Sequence, residues 1–255
     1  MNVLVCIKRV PATGGRIVLT ADEQEIDARF LGFTISPHEE CAVEEAVRLV
    51  EVHGGSSVVL TLGPDAAVEQ LRDAMALGVD RAIHLVTDGA GWDPQATAAA
   101  IVEAVRAQGS AGVDFDLLLF GNEAADTGDF QVGIRVAHAL GLPCVTGVKG
   151  LRMEEGAAFA EREAGGGREI VEVPLPAVLA VKEGINLPRY PSVPGRLKAR
   201  SKPVERSSPP AAPGGLQTIR LKLPKEPDSS VEILGRGPEA VPRIVEVLRS
   251  LGLPP

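Results

Sequence analysis

Aromatic side chains are scarce in this sequence, at 3% of 255 residues with one Trp and one Tyr. A chain so poor in rings is unsuited to stacking a row of bases. Its core must be aliphatic, built from Val, Leu, Ile and Ala. Cysteine is equally sparse. Cys6, Cys41 and Cys144 are odd in number, far apart and form no CxxC pair, which argues against a disulfide framework and against a zinc site. Cys6 and Cys144 lie in apolar runs and read as small hydrophobes. Positive charge is in deficit, 26 Lys and Arg against 34 Asp and Glu for a net charge of −8, so nucleic acid and anionic membranes are poor partners. Lys8-Arg9 breaks the first apolar run too early for a signal peptide or a membrane span. The expected location is cytoplasmic, without direct membrane insertion.

The usual catalytic signatures are missing as well. The dipeptide Gly-Lys never occurs, so there is no P-loop, and no GxSxG elbow is present. The four histidines are scattered without metal-ligand spacing. His84 sits in an apolar run and reads as a core residue, and His138 as a favourable charge late in a helix. Residues 235–240 spell GxGxxA, but the second strand that a dinucleotide fingerprint needs does not follow. Nothing resembles an autonomous catalytic centre, so a carrier or binding subunit is expected rather than an enzyme.

What is present is alternation. Apolar runs at residues 3–7, 57–62, 81–86, 117–120 and 145–148 read as buried strands. Between them lie helical patterns. Ser36, Pro37 and Glu39 form a capping box before Val43, Ala46, Val47 and Val50. Asp65 is expected to cap a second helix ending at Gly78, Asp93-Pro94 to start a third, and residues 129–140 to form a fourth. Continuous apolar strands alternating with helices predict a doubly wound α/β fold with a mostly parallel sheet. Residues 159–163 and 168–173 around Gly165-Gly166-Gly167 predict a hairpin extension, and residues 16–20 and 25–27 a smaller one. The expected organisation is an α/β domain over 1–185, a basic, Pro-rich segment with little helical pattern over 186–206, and a linker with a C-terminal arm over 207–255. That arm ends in an amphipathic helix carrying Val241, Ile244, Val245 and Leu248.

In an open parallel sheet, ligands bind beyond the carboxyl ends of the strands. Three loops belong there, after Ile7, after Leu62 and at 121–129. The last has Gly121 and Gly128 for close backbone approach, and Thr127 as a donor before a helix start suited to phosphate. Two readings stay open at this point. Either the loop holds a nucleotide, or Asp126 or Thr127 merely caps the helix. Asp129, expected in the helix's first turn, would repel phosphate.

Several blocks together resemble the electron-transfer flavoprotein β subunit. They are Val5-Cys6-Ile7-Lys8-Arg9-Val10-Pro11, Ser36-Pro37 with Ala42-Val43-Glu44-Glu45-Ala46-Val47-Arg48-Leu49, Leu62-Gly63-Pro64, residues 76–84, the loop at 121–133, and Leu187-Pro188-Arg189-Tyr190-Pro191-Ser192-Val193-Pro194. The resemblance runs in order from residue 2 to about 205. It implies a Rossmann-like, adenine-nucleotide-binding fold. It implies a heterodimer with an α subunit that holds most of the redox FAD, and a structural AMP in this chain. Carried over by position, AMP contacts fall at Cys6, Ser36, Pro37, His38, Glu39 and Leu62. They continue along the loop at Gly121, Asn122, Glu123, Ala124, Ala125, Asp126, Thr127, Gly128, Asp129, Phe130, Gln131 and Val132. Thr13 and His38 match positions near the flavin. The family often has aromatics there, and His38 could instead place a polar N–H near the ring.

The resemblance also implies electron transfer from flavin dehydrogenases, such as acyl-CoA dehydrogenases, to a membrane quinone oxidoreductase. Arg189, Tyr190, Pro191, Ser192, Val193, Pro194, Arg196 and Lys198 match the partner-recognition loop, with Val193 as its apolar anchor. Arg196, Lys198, Arg200 and Lys202 would steer association electrostatically. The alternatives are an electron-bifurcating β subunit with a second FAD, since Gln131-Val132-Gly133 matches that group, and a stand-alone adenine-nucleotide-binding regulator. An ATP pyrophosphatase on the same fold would need an SGGxDS loop, which is missing.

Overall fold

The apolar run at the start of the chain becomes β1 (Asn2–Ile7), the fourth strand of a nine-stranded sheet and the middle one of its seven parallel strands. The computed structural model describes residues 1–12, 14–88, 92–154, 156–210, 215–216, 218–225 and 231–253. In chain order, β2 (Val10–Pro11) and β3 (Phe33–Thr34) form a small antiparallel pair, and α1 (Pro37–His53) leads to β4 (Ser56–Gly63). Then come α2 (Val68–Leu77), β5 (Arg81–Val86), α3 (Pro94–Ser110), β6 (Leu117–Gly121) and α4 (Val132–Leu140). The chain continues through β7 (Cys144–Glu154), β8 (Ala157–Ala164), β9 (Gly167–Pro174), β10 (Ala177–Val181), α5 (Val193–Ser201), β11 (Val204–Ser207) and α6 (Val241–Ser250).

The sheet order is β11-β5-β4-β1-β6-β10-β7-β8-β9. Seven strands, from β11 to β7, run parallel, and β8 and β9 add antiparallel to the far end of β7. The continuous apolar strands therefore mark a sheet covered on both faces. Val3, Val5 and Ile7 point into one layer with α1, α2 and Ala199 of α5. Leu4 and Cys6 point into the other, with α3, α4 and Phe120. The alternation of β1 side chains between layers follows the period of two that a pleated strand imposes. Successive connections build outward from β1 to β4 and β5 and then return to β6 on its other side. The β1–β6 boundary is thus a topological switch point, the place at the carboxyl edge where open α/β sheets bind ligands.

Four local expectations need correction. The second helix begins with a 3-10 turn over Asp65–Ala67 whose cap position is Pro64, and Asp65 caps nothing. The smaller hairpin is reduced to a single antiparallel bridge, Leu19 to Ile26. The fourth helix starts at Val132, three residues later than expected. Most consequentially, the basic segment holds regular structure, so secondary structure continues past residue 185. Ser192 caps α5 by accepting from the Gly195 N–H at 3.1 Å. Strand β11 pairs parallel with β5, matching Val204 to Ala82 and Arg206 to His84.

Helix α5 is joined to α2 by reciprocal capping. The Lys202 ammonium donates to the carbonyls of Met75 (3.0 Å) and Val79 (2.6 Å) at the end of α2. Arg72 from α2 donates to the carbonyls of Ala199 (2.5 Å) and Lys202 (2.7 Å) at the end of α5. Each cation satisfies carbonyls that a helix C-terminus leaves without partners. Gly195 permits the approach, because a Cβ there would lie 2.5 Å from the Ala76 carbonyl oxygen.

Beyond β11, described residues of the chain bond to two loops of the domain. The Gly215 and Leu216 N–H groups donate to Asp93 at 2.7 and 3.1 Å, and the Leu221 N–H donates to the Glu23 carbonyl at 2.7 Å. Helix α6 contains no buried residue, and Val241, Ile244, Val247 and the following Leu251 are exposed. No helix among the described residues is long and apolar enough to cross a membrane.

Candidate nucleotide site and docking segment

The carboxyl edge is organised by the start of α1. The capping box expected at Ser36 is present. The Ser36 hydroxyl accepts from the Glu39 N–H (3.4 Å), and Glu39 Oε2 accepts from the Ser36 N–H (3.0 Å). Glu39 also reaches the end of β1, where its Oε1 accepts from the Lys8 N–H at 3.0 Å. This carboxyl is 5% exposed, and burial pushes its pKa up to about 8 against the pull of those two donors. The end of β6 packs directly on it. A Cβ at Gly121 would meet Glu39 Cγ at 2.6 Å, so only glycine fits.

The loop after β6 is held from several sides. The Asn122 N–H donates to the Val181 carbonyl (2.8 Å), and its side-chain oxygen accepts from the Gly147 N–H (2.8 Å). The Ser36 hydroxyl donates to the Glu123 carbonyl at 3.2 Å. His38 accepts from the Glu183 N–H at Nδ1 (2.8 Å) and pairs through Nε2 with Glu123 (3.3 Å). Accepting at Nδ1 fixes the proton on Nε2 in the neutral ring. That N–H is directed at Glu123. Lys8 Nζ pairs with Asp126 at 2.7 Å, which neutralises that carboxylate. Gly128 (φ +58°) and Phe130 (φ +56°) then turn the chain into α4.

Neither Asp126 nor Thr127 caps α4. Asp126 accepts from the Thr127 N–H (2.9 Å), and the helix starts at Val132 with Gln131 in the cap position and no side-chain cap. The first-turn N–H groups of α4 thus meet no capping side chain, at the carboxyl end of β6. Such a terminus suits an anion, through its N–H groups and the helix dipole. Asp129 lies three residues before the helix rather than in its first turn. Gln131 instead accepts from Arg135 at 2.9 Å, placing a cation on that first turn.

Other candidates are placed less directly. Cys6 is in the core layer of α3 and α4, and burial pushes its thiol far up, which makes it inert. Leu62 is half-buried near the end of β4, and Pro37 is exposed at the first position of α1. Thr13 lies outside the described residues. Lys8 and Glu183, which the sequence reading did not single out, are part of the edge network. Lys8 follows a buried strand and falls at a carboxyl end, a signal that could have found it. Among the described residues no cluster could hold a metal ion.

The docking segment is divided in its chemistry. Leu187, Tyr190, Val193 and Leu197 are exposed, Tyr190 at 95% and Val193 at 73%. Several of the basic residues expected to steer are engaged internally. Arg189 pairs with Glu44 (2.9 Å) and Glu51 (2.6 Å), Arg196 with Asp73 (3.3 Å), and Lys202 caps α2. Lys198 and Arg200 form no ion pair among the described residues.

The family model described as "Electron transfer flavoprotein domain" matches residues 27–212. Proteins named electron transfer flavoprotein subunit beta are similar over most of their length. The one from Bacillus subtilis is 34% identical over 98% of each chain, and that from Syntrophomonas wolfei 37% over 91% of this chain and 90% of its own. The one from Mycobacterium tuberculosis is 36% identical over 80% of this chain and 77% of its own. This chain belongs to the electron-transfer flavoprotein β-subunit family. The family's flavin-associated electron transfer, and its pairing with an α subunit, are what this chain is built for. In this member of the electron-transfer flavoprotein family, Glu39, Glu123, Asp126 and Lys8 knit together the carboxyl edge at the β1–β6 boundary.

Glu39 gives that edge a pH dependence. Its pKa is raised from 4.5 to about 8, so the folded state holds a proton that the unfolded chain releases earlier. The stability it confers is fully present below about pH 4.5 and is lost as pH rises through about 8. Urea unfolding between pH 5 and 9 should show the native chain losing roughly a few kcal/mol. Glu39→Gln should flatten that decline. Parallel curves for the two proteins would exclude Glu39 as its source.

Proposed function

We propose that this chain is the β half of an electron-carrying heterodimer, with a structural AMP at the β1–β6 boundary and the redox FAD held mainly by the α subunit. The observation that carries the nucleotide reading is the uncapped start of α4, with Arg135 on its first turn. These residues fit a phosphate group. The first-turn N–H groups of Gln131, Val132 and Gly133 would take the anion, and the edge around Cys6, Leu62 and Gly121 would take the adenosine. Glu39, protonated through most of the neutral range, adds little opposing charge. AMP supplies no redox chemistry there. The 121–132 loop and the ends of β1 and β4 would hold it as a structural group, and the redox chemistry would be the flavin's.

The chain acts as a carrier rather than an autonomous enzyme, taking electrons from flavin dehydrogenases and delivering them to a quinone oxidoreductase, in the cytoplasm. The exposed face of α6 supports the reading that the arm after β11 packs on the α subunit. Mass spectrometry of small molecules released from the purified heterodimer should find one AMP per β chain. Two FAD and no AMP would instead establish the bifurcating alternative. Truncation after Ser207 keeps β11 and should leave the α/β domain folded while weakening heterodimer formation. Unimpaired pairing would refute the assignment of the arm, whereas a full-length chain that never pairs with an α subunit would favour a stand-alone regulator.

We assign docking to Val193 and its exposed apolar neighbours. Removing two methyl-sized groups from a filled pocket costs about 1.6 kcal/mol, roughly tenfold in affinity. Val193→Ala should therefore weaken productive encounters with a dehydrogenase about tenfold at any ionic strength. Neutralising Lys198 should slow association only at low salt, because exposed charges are screened. Stopped-flow electron transfer measured against salt separates the two. If Val193→Ala leaves the kinetics untouched, the docking assignment is wrong.

A further inference from the structure

The exposed apolar residues of the docking segment stand on an unusual footing. Immediately before Tyr190, Arg189 makes five hydrogen bonds to two carboxylates of α1. Its backbone N–H and Nε donate to Glu44 Oε2 (3.1 and 2.9 Å), and Nη2 donates to Glu44 Oε1 (3.1 Å). Nη1 and Nη2 donate to the two oxygens of Glu51 (2.6 and 2.9 Å). Glu44 has a side chain only 5% exposed, whereas Tyr190 next in sequence is 95% exposed. Three residues upstream, the Asn186 side chain donates to the Cys41 carbonyl (3.0 Å) and to Glu45 (2.9 Å), again on α1. Downstream, α5 is fixed to α2 by Gly195, Arg72 and Lys202.

We infer that Glu44 and Glu51 are positioning residues for partner docking, acting through Arg189, which they hold as an internal clamp rather than as a partner-contacting cation. The inference rests on the docking reading of Val193 and adds the residues that set its geometry. A segment of successive exposed apolar residues would otherwise sample many conformations, and binding would have to select one of them. Two carboxylates gripping one planar guanidinium give a bidentate geometry that a lysine ammonium cannot reproduce. The clamp also explains why so basic a segment belongs to an acidic protein, since its first arginine is neutralised by its own helix. Because Glu44 is shielded from solvent, its hold on Arg189 is weakly screened, unlike the steering by Lys198.

The test uses the intact heterodimer with a dehydrogenase partner. Glu44→Gln, Glu51→Gln and Arg189→Lys should each raise the KM for the flavoprotein as electron acceptor, with kcat little changed. Glu44→Gln should do so about tenfold, equivalent to about 1.4 kcal/mol. The defect should persist at high salt, and hydrogen exchange of the backbone amides in 187–192 should speed up in the same variants. Glu51→Gln alters an exposed residue and guards against misfolding as the cause. Val193→Ala, measured alongside, should raise KM without changing exchange. Normal KM or unchanged exchange in all three clamp variants, with Val193→Ala impaired, would overturn the clamp and leave the docking reading intact. Normal KM in Val193→Ala would overturn the docking reading, and with it the role given to Glu44 and Glu51.

Discussion

The carboxyl group of Glu39 is the joint on which the carboxyl edge depends. It accepts from the last turn-out of β1 at Lys8 and from the helix cap at Ser36, and its methylene occupies the space that a side chain at Gly121 would need. Three elements distant in sequence are thereby fixed at one point, at the switch where the sheet changes direction. The arrangement is costly to ionise, since burial opposes charge more strongly than two N–H donors favour it. A neutral joint is also the one compatible with an anion bound close by. The same group that shapes the edge thus keeps its field from turning negative, while Lys8 does so for Asp126.

From that joint α1 extends as a rod along one face of the sheet. Its first turn shapes the edge proposed to hold the nucleotide, its middle carries Cys41, Glu44 and Glu45 toward the segment at 186–189, and its last turns carry Glu51 to Arg189. A surface ion pair contributes about 0–1 kcal/mol, whereas stripping the partner from a buried carboxylate costs about 3–5 kcal/mol. Glu44 belongs to the second class and Glu51 to the first. One helix therefore links the proposed ligand site and the proposed docking segment by rigid geometry, with no conformational switch required.

The sheet and most of its helices were legible because their signals are local. β1, β4 and β6 are continuous apolar runs, and Ser36-Pro37-His38-Glu39 carries its own cap. The start of α4 was not legible. Asp129 lies three residues before the helix, and Asp126 prefers Lys8, a partner 118 residues away that no local pattern announces. Strand β11 reads Val-Glu-Arg-Ser and buries nothing fully, so its pairing with β5 depends on an edge that only the folded sheet presents. Helix α5 could have been found, because Ser192-Val193-Pro194 repeats the cap-and-proline logic of Ser36-Pro37. Its composition concealed it, with two exposed apolar residues and a charged remainder. The edge loops were correctly placed together by topology, but the roles of His38 and Lys8 follow from tertiary partners.

The distribution of charge in 189–206 has a further consequence. Arg189, Arg196, Lys202 and Arg206 are each engaged, with Glu44 and Glu51, Asp73, the end of α2, and Asp65. What remains facing solvent without an ion pair is the pair Lys198 and Arg200, within a chain of net charge −8. Long-range steering scales with the uncompensated charge, and two cations set against that background generate only a modest field. The composition of the segment overstates its electrostatic reach. In the proposed docking, a larger share of recognition then falls on shape, on four exposed apolar side chains in a segment fixed to α1 at Arg189 and to α2 through α5. Shape complementarity acts mainly on how long a complex lasts, whereas charge acts on how often it forms. A carrier that must release each partner after one encounter needs its apolar contact small, and the proposed anchor, Val193, would meet that requirement better than an aromatic side chain in its place.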